Sequence, residues 1–236
     1  MGDGYGALGS VEFIEHNFPE AEKNLRKAIE YNPNYPFAYE TLGWIELYRM
    51  NIDESIKLFY QCIDLDPLST RFKGSIGNAY AIAHRYDEGI VAIKEFLKSY
   101  PDDNYLLWTL GFLYARKGEC DTAIEVLNRR TIGTKTNWVL TYCYMKTGQR
   151  AKAEEILQNN IEKSKTELVP DFMMAVQYCA LGQYEKALDH LEKVMESQSE
   201  SFFEVSMETD PFLEPLYDMP RFKKIVAEVK KGFGSL

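Results

Sequence analysis

The chain has 236 residues, of which 45% are hydrophobic and 14% aromatic, enough apolar side chains to bury a core and too many for a disordered chain. A formal charge of −9, from 27 basic against 36 acidic residues, disfavours a nucleic-acid phosphate backbone as partner, because such binding rests on Lys and Arg contacts that release counterions. Nothing approaches the run of about 18 apolar residues that spans a membrane, and MGDGYGALGS offers neither a basic region nor an apolar signal core, so the chain as given reads as soluble and cytoplasmic.

In chain order, Tyr5, Leu8, Gly9 and Phe13 recur at helical spacing and predict a first helix; residues 18–31 predict a second. That first helix is as apolar as an interior one, which predicts further polypeptide before Met1 in the full-length protein. The glycines of GDGYG follow no strand and do not read as a dinucleotide loop. A second helix pair runs from Pro36 to Pro67 and a third from Ser69 to Pro101, the latter weakened as helix by Gly74, Gly77 and Gly89. In the fourth pair YLLWTLGFLYARKG is a strong helix, but DTAIEVLNRR stops about one turn early at Thr131 to Gly133, which predicts a bend near residues 130–135. The fifth, 136–164, keeps Leu140, Tyr144, Gly148, Ala153 and Leu157, with Thr141 in place of the usual Gly. The sixth follows Pro170 and states the pattern most fully: Met174, Tyr178 and Leu181, then Gly182, then Tyr184, Ala187, Leu188, Leu191 and Val194.

Small residues near the start of each second helix fall at Ala21, Ser55, Gly89, Ala123, Ala153 and Ala187, giving steps of 34, 34, 34, 30 and 34. Leu8-Gly9, Leu42-Gly43, Ile76-Gly77 and Leu110-Gly111 step by 34 independently, as do Pro33, Pro67 and Pro101. Independent markers that share one period define a repeat. The pattern of aromatic, Leu-Gly, Tyr, then Ala, large apolar, Ala and Pro resembles the tetratricopeptide repeat family. The resemblance implies an all-α fold, a right-handed α–α superhelix of six helix-turn-helix units at about 3–35, 36–68, 69–102, 103–135, 136–165 and 168–199. Beyond Gln198 the frame stops. Phe202, Phe203, Val205 and Met207 form a short apolar piece, Asp210-Pro211 and Asp218-Met219-Pro220 make turns, and residues 221–231 form a helix with Phe222, Ile225, Val226 and Val229 on one face. This segment, 200–236, resembles the closing element of bacterial tetratricopeptide proteins and is expected to cap the open end of the array.

Chemistry is sparse. Cys62, Cys120, Cys143 and Cys179 lack zinc spacing and read as buried thiols; His16 and His84 stand at turns where other units have Gly118, Gly148 and Gly182, and His190 reads as a surface residue. No nucleophile triad, phosphate loop or metal pattern is present, so neither catalysis nor a cofactor is expected. The informative feature is a second apolar stripe on the first helices, which the family resemblance places on a concave groove. It comprises Phe37, Trp44, Tyr48, Arg71, Asn78, Tyr105, Trp108, Phe112, Arg116, Trp138, Tyr142, Lys146 and Phe172, with Met173 beside it. Aromatic rings with an occasional Arg are the usual anchors of protein interfaces. The expected function is a monomeric scaffold that binds a peptide or helical segment there; the alternative is a regulatory module of a larger, bacterial signalling protein with the groove filled by its own chain. The family's Lys/Asn clamp for chaperone tails does not carry over: the matching positions hold Gly6, Ser10, Thr41, Arg71 and Ser75.

Overall fold

The 34-residue spacing corresponds to antiparallel helix pairs. The structure, a computed structural model, describes residues 2–130, 134–197 and 204–232. Its helices are α1 (Gly2–Ile14), α2 (Phe18–Tyr31), α3 (Pro36–Tyr48), α4 (Ile52–Leu65), α5 (Thr70–Ile82), α6 (Tyr86–Ser99), α7 (Asn104–Lys117), α8 (Cys120–Asn128), α9 (Thr134–Lys146), α10 (Arg150–Lys163), α11 (Asp171–Ala180), α12 (Tyr184–Ser197) and α13 (Pro220–Gly232). Among the described residues there is no strand, and no helix is long and apolar enough to cross a membrane. The bend expected near 130–135 centres on residues outside those described, as do Phe202 and Phe203.

Each repeat is one pair: α1 packs on α2, α3 on α4, α5 on α6, α7 on α8, α9 on α10 and α11 on α12. The chain forms two compact units, Met1–Ser99 and Tyr100–Gly232. In the first, α3 packs on both α1 and α2, and α4 on α5; in the second, α7, α9 and α11 lie side by side and α12 receives α13.

The Leu-Gly step has a steric cause. A Cβ at Gly43 would lie 2.7 Å from the Phe59 ring, and one at Gly111 only 2.5 Å from Leu127, so the paired helices close to a distance that no side chain permits. Ser55 uses the same close approach to donate a 2.7 Å hydrogen bond to the Gly43 carbonyl. Turns within the pairs need left-handed backbone, which Gly118, Gly148 and Gly182 supply freely; His16, Met50 and His84 take it at φ 57°, 58° and 56°, at a cost of about 1 kcal/mol each. Thr141, the residue that breaks the Leu-Gly pattern, is buried and accepts a 2.9 Å bond from Gln177, which in turn accepts one of 3.0 Å from buried Asn160. A polar thread across α9, α10 and α11 thus replaces a bare crossing.

Helix starts follow local chemistry. The Asp103 carboxylate accepts from the Tyr105 and Leu106 amides at 2.9 Å, capping α7, and Pro36 and Pro220 open α3 and α13, where a missing N–H is harmless. After α12 come two short 3-10 turns, Glu204–Thr209 and Glu214–Leu216, and then α13. Arg221 anchors that last helix to α12 through Glu192 (2.6 and 2.8 Å), Asp189 (2.7 Å) and Glu185 (3.1 Å), while Phe222 and Ile225 are buried beside it.

Candidate binding surface

In the second unit the spacing of Tyr105, Trp108 and Phe112 puts three rings on one side of α7. They stack in sequence, Tyr105 on Trp108 at 6.0 Å and Trp108 on Phe112 at 5.2 Å, with planes within 7°. The row continues edge-on to Trp138 of α9 at 5.7 Å and from there to Phe172 of α11 at 6.1 Å. Five of the residues expected on the stripe thus touch ring to ring in one row across α7, α9 and α11.

What sequence reasoning did not place is the layer on top of that surface. Phe212, which follows the first 3-10 turn, stands 4.6 Å from the Tyr142 ring, 5.3 Å from Trp138 and 5.9 Å from Phe112. Asp210 bonds Arg116 at 2.6 Å, both side chains fully excluded from water. The other Asp210 oxygen accepts the Phe212 amide at 3.0 Å, closing a local turn that presents ring and carboxylate together. Arg116 also lies over the Phe112 and Phe212 rings at 5.4 and 5.9 Å, yet its Nε and Nη2 have no hydrogen-bond acceptor. Met207, Leu213 and Leu216 are buried as well, while Glu208, Thr209, Glu214 and Pro215 of the same segment are exposed. Consequently Phe112, Arg116, Trp138 and Phe172 are buried, Trp108 and Tyr142 nearly so, and only Tyr105, half-buried, and Lys146, exposed, reach solvent.

Beside the segment lies a cleft of about 340 Å³, lined by Tyr142, Met145, Lys146 and Arg150, by residues 179–182 and Tyr184, and by Pro211, Phe212 and Pro215. Lys146 sits 5.3 Å above the Tyr142 ring at its mouth. Burial, helped by nearby Cys120 and Cys143, pushes the Tyr142 hydroxyl well above its ordinary value. Cys120 and Cys143, unrelated by sequence spacing, hydrogen-bond each other, which holds Cys120 below the usual thiol range and drives Cys143 far above it. All four cysteines are buried and free, and among the described residues no cluster of His, Cys, Asp or Glu could hold a metal.

In the first unit the same stripe stays open in part. Phe37 is 46% exposed, its ring edge-on to Phe72 at 5.7 Å, and the Arg71 guanidinium lies 5.7 Å over it. Arg71 is held by two 2.8 Å bonds to buried Glu40 of α3, so the cation over Phe37 is fixed in place. Burial raises the Glu40 carboxyl above its usual range, opposed by Arg71. Trp44 instead packs half-buried against Phe59 at 5.1 Å, Tyr48 is buried against Phe18 at 5.3 Å and Phe13 at 5.9 Å, and Asn78 is buried. Trp44 also hydrogen-bonds Glu40, the carboxylate that holds Arg71, and so adjoins the Phe37 and Arg71 pair. His190 also departs from the surface role expected of it: its Nδ1 lies 2.6 Å from Asp171 and its ring stacks on Tyr178 at 5.3 Å.

This arrangement, paired helices closed on glycine with aromatic first helices, defines an all-α helical-repeat protein. Residues 171–201 match the tetratricopeptide repeat family, and the helical-repeat fold is similar to that of solved tetratricopeptide repeat proteins. Hsp70-Hsp90 organizing protein 1 of Glycine max is 25% identical over 164 residues, covering 70% of this chain and 26% of that protein, so the chain spans about a quarter of its relative's length. Among solved structures, PilW, described as a widely conserved type IV pilus biogenesis factor, superposes with a TM-score of 0.59 at 16% identity over 91% of this chain and 97% of PilW. A tetratricopeptide repeat protein from Parabacteroides merdae ATCC 43184 does so with 0.57 at 15% identity, over 98% and 97%. At these identities the likeness concerns the fold.

Proposed function

We propose that the chain is a monomeric, non-enzymatic protein-interaction scaffold whose partner docks on the first unit, over Phe37 and Arg71, while residues 206–216 occupy the equivalent face of the second unit. The fold supports scaffolding in general. The observation that carries the finer reading is the fixed pair of exposed Phe37 and Arg71: the ring offers apolar area and Glu40 has already immobilised the cation, so less ordering entropy remains to be lost on binding. On this reading the array is residues 1–199 and its closing element 200–236. A cytoplasmic, bacterial origin fits the Asp-Pro-Phe and Pro-Arg-Phe pattern of that element. The alternative reading, a regulatory module of a longer signalling protein filled by its own chain, draws support from the Asp210 and Phe212 contacts.

Chaperone tails are not the proposed ligand, although the Glycine max relative is named for two chaperones. Ser10, Thr41 and Ser75 donate to carbonyls of their own helices, and Arg71 is engaged by Glu40. The test is affinity capture with wild type and with Phe37→Ala/Arg71→Ala. The double variant should lose its specific partners while keeping native helicity; retention of the same partners would overturn the docking assignment.

A further inference from the structure

We infer that residues 207–216 are an exchangeable occupant of the α7, α9 and α11 face, and that the face accepts in trans a peptide of the same chemistry: a carboxylate, an aromatic ring two residues later, then an aliphatic residue. The inference rests on the scaffold reading for its purpose but on separate contacts for its evidence. Asp210 and Phe212 meet the face as a ligand would, one charge on Arg116 and one ring in the cage of Phe112, Trp138 and Tyr142. The segment departs from the helical repeat, since its backbone is 3-10 turn and not helix pair, and it is secured to the repeats at its far end by the separate Arg221 clamp on α12. Release of Phe212 therefore need not release α13.

The fit is also incomplete. Arg116 is 3% exposed, and its Nε and Nη2 point at no acceptor, because Asp210 spends its second oxygen on the Phe212 amide. A guanidinium fork is matched by a carboxylate that offers both oxygens. A longer acidic side chain, Glu in the place of Asp, reaches such a bidentate pairing without giving up the ring contact. The built-in segment holds the site through tethering, which supplies a high effective concentration, more than through ideal chemistry. A partner with an acidic residue, a spacer and Phe-Leu competes with it directly.

The probes are labelled peptides of residues 206–217, SMETDPFLEPLY, its Asp210→Glu form, and a control with Phe212→Ala. They are titrated by fluorescence anisotropy against the 236-residue wild-type chain and against the same chain with Phe212→Ala. The variant, with its cage vacated, should bind the native peptide at least about tenfold more tightly than wild type does, since the tethered competitor is removed. The Glu peptide should bind more tightly than the Asp one, the control peptide should not bind, and Arg116→Gln in the same background should abolish the preference for Glu. Failure of the folded variant to bind any peptide overturns the proposal. If that variant does not fold, hydrogen exchange of wild type decides: amides of 210–216 exchanging well before those of 106–115 support exchange, while equal protection makes the segment permanent core and overturns it. Either result leaves the Phe37 and Arg71 test untouched.

Discussion

Replacing Asp210 by Asn removes one charge and almost nothing else. The amide keeps an oxygen to accept the Phe212 N–H, so the local turn survives, and its volume is nearly unchanged. Arg116, however, loses the anion hydrogen-bonded to its guanidinium, 2.6 Å away in a site where both side chains are fully buried. Breaking a buried pair from one side typically costs about 3–5 kcal/mol, because the remaining charge stays desolvated. Here the expected loss lies near the lower bound of that range, about 3 kcal/mol, since the Phe112 and Phe212 rings still face the cation. Arg116→Met should cost a similar amount by stranding the carboxylate, but Arg116→Met combined with Asp210→Asn should lie within about 1 kcal/mol of wild type, giving a coupling of several kcal/mol. Urea unfolding followed through Trp108 and Trp138, which flank the site, reads all three variants. A loss below about 0.5 kcal/mol for Asp210→Asn would refute the argument, because that is what an exposed position shows.

Gly43→Ala should destabilise the first unit by about 1–3 kcal/mol through overpacking, and Phe59→Leu, which withdraws the contacted ring, should recover part of that loss in thermal melts of the double variant. Thr141→Val removes the acceptor of the Gln177 amide inside the second unit and should cost about 1–3 kcal/mol, measurable by denaturant titration. Glu40 has its carboxyl raised chiefly by burial, so the folded chain holds that proton to higher pH than the unfolded chain does. Its contribution to stability is therefore present in acid and lost as pH rises through the folded value. Arg71→Gln removes the opposing cation and raises the value further, so the variant's deficit relative to wild type should grow from acid to neutral pH; a deficit that shrinks would contradict the assignment. Burial pushes Cys62 and Cys179 up to about 12, and neither should react with a thiol reagent near neutral pH until the chain is unfolded.

The helix pairs were readable because their cause is local. A Leu-Gly step and a small residue recurring every 34 positions are what close helix packing requires, and Gly43 against Phe59 shows that requirement directly. Helical periodicity likewise put Tyr105, Trp108 and Phe112 on one side of α7. Periodicity says which way Arg116 faces, but not what covers it: its partner Asp210 lies 94 residues away, in a segment without the repeat's period. The Asp-Pro-Phe turn was visible as a turn, and its use as a buried anchor was not. Trp44 and Tyr48 show the opposite limit. Both lie on an aromatic stripe of α3, yet each finds a ring from a neighbouring helix, Phe59 for one and Phe18 for the other, and the stripe divides between packing and surface. The Cys120 and Cys143 thiols and the His190–Asp171 pair are contacts between different helices, for which a single sequence holds no local signal.

Site-specific photo-crosslinking tests the account most directly. A benzophenone amino acid is placed at position 37 in one copy of the 236-residue chain and at position 112 in another, and each is irradiated in the presence of captured partners. The account predicts intermolecular products from position 37 and, from position 112, an intramolecular product mapping to residues 210–213. Intermolecular products from position 112 together with none from position 37 would contradict it.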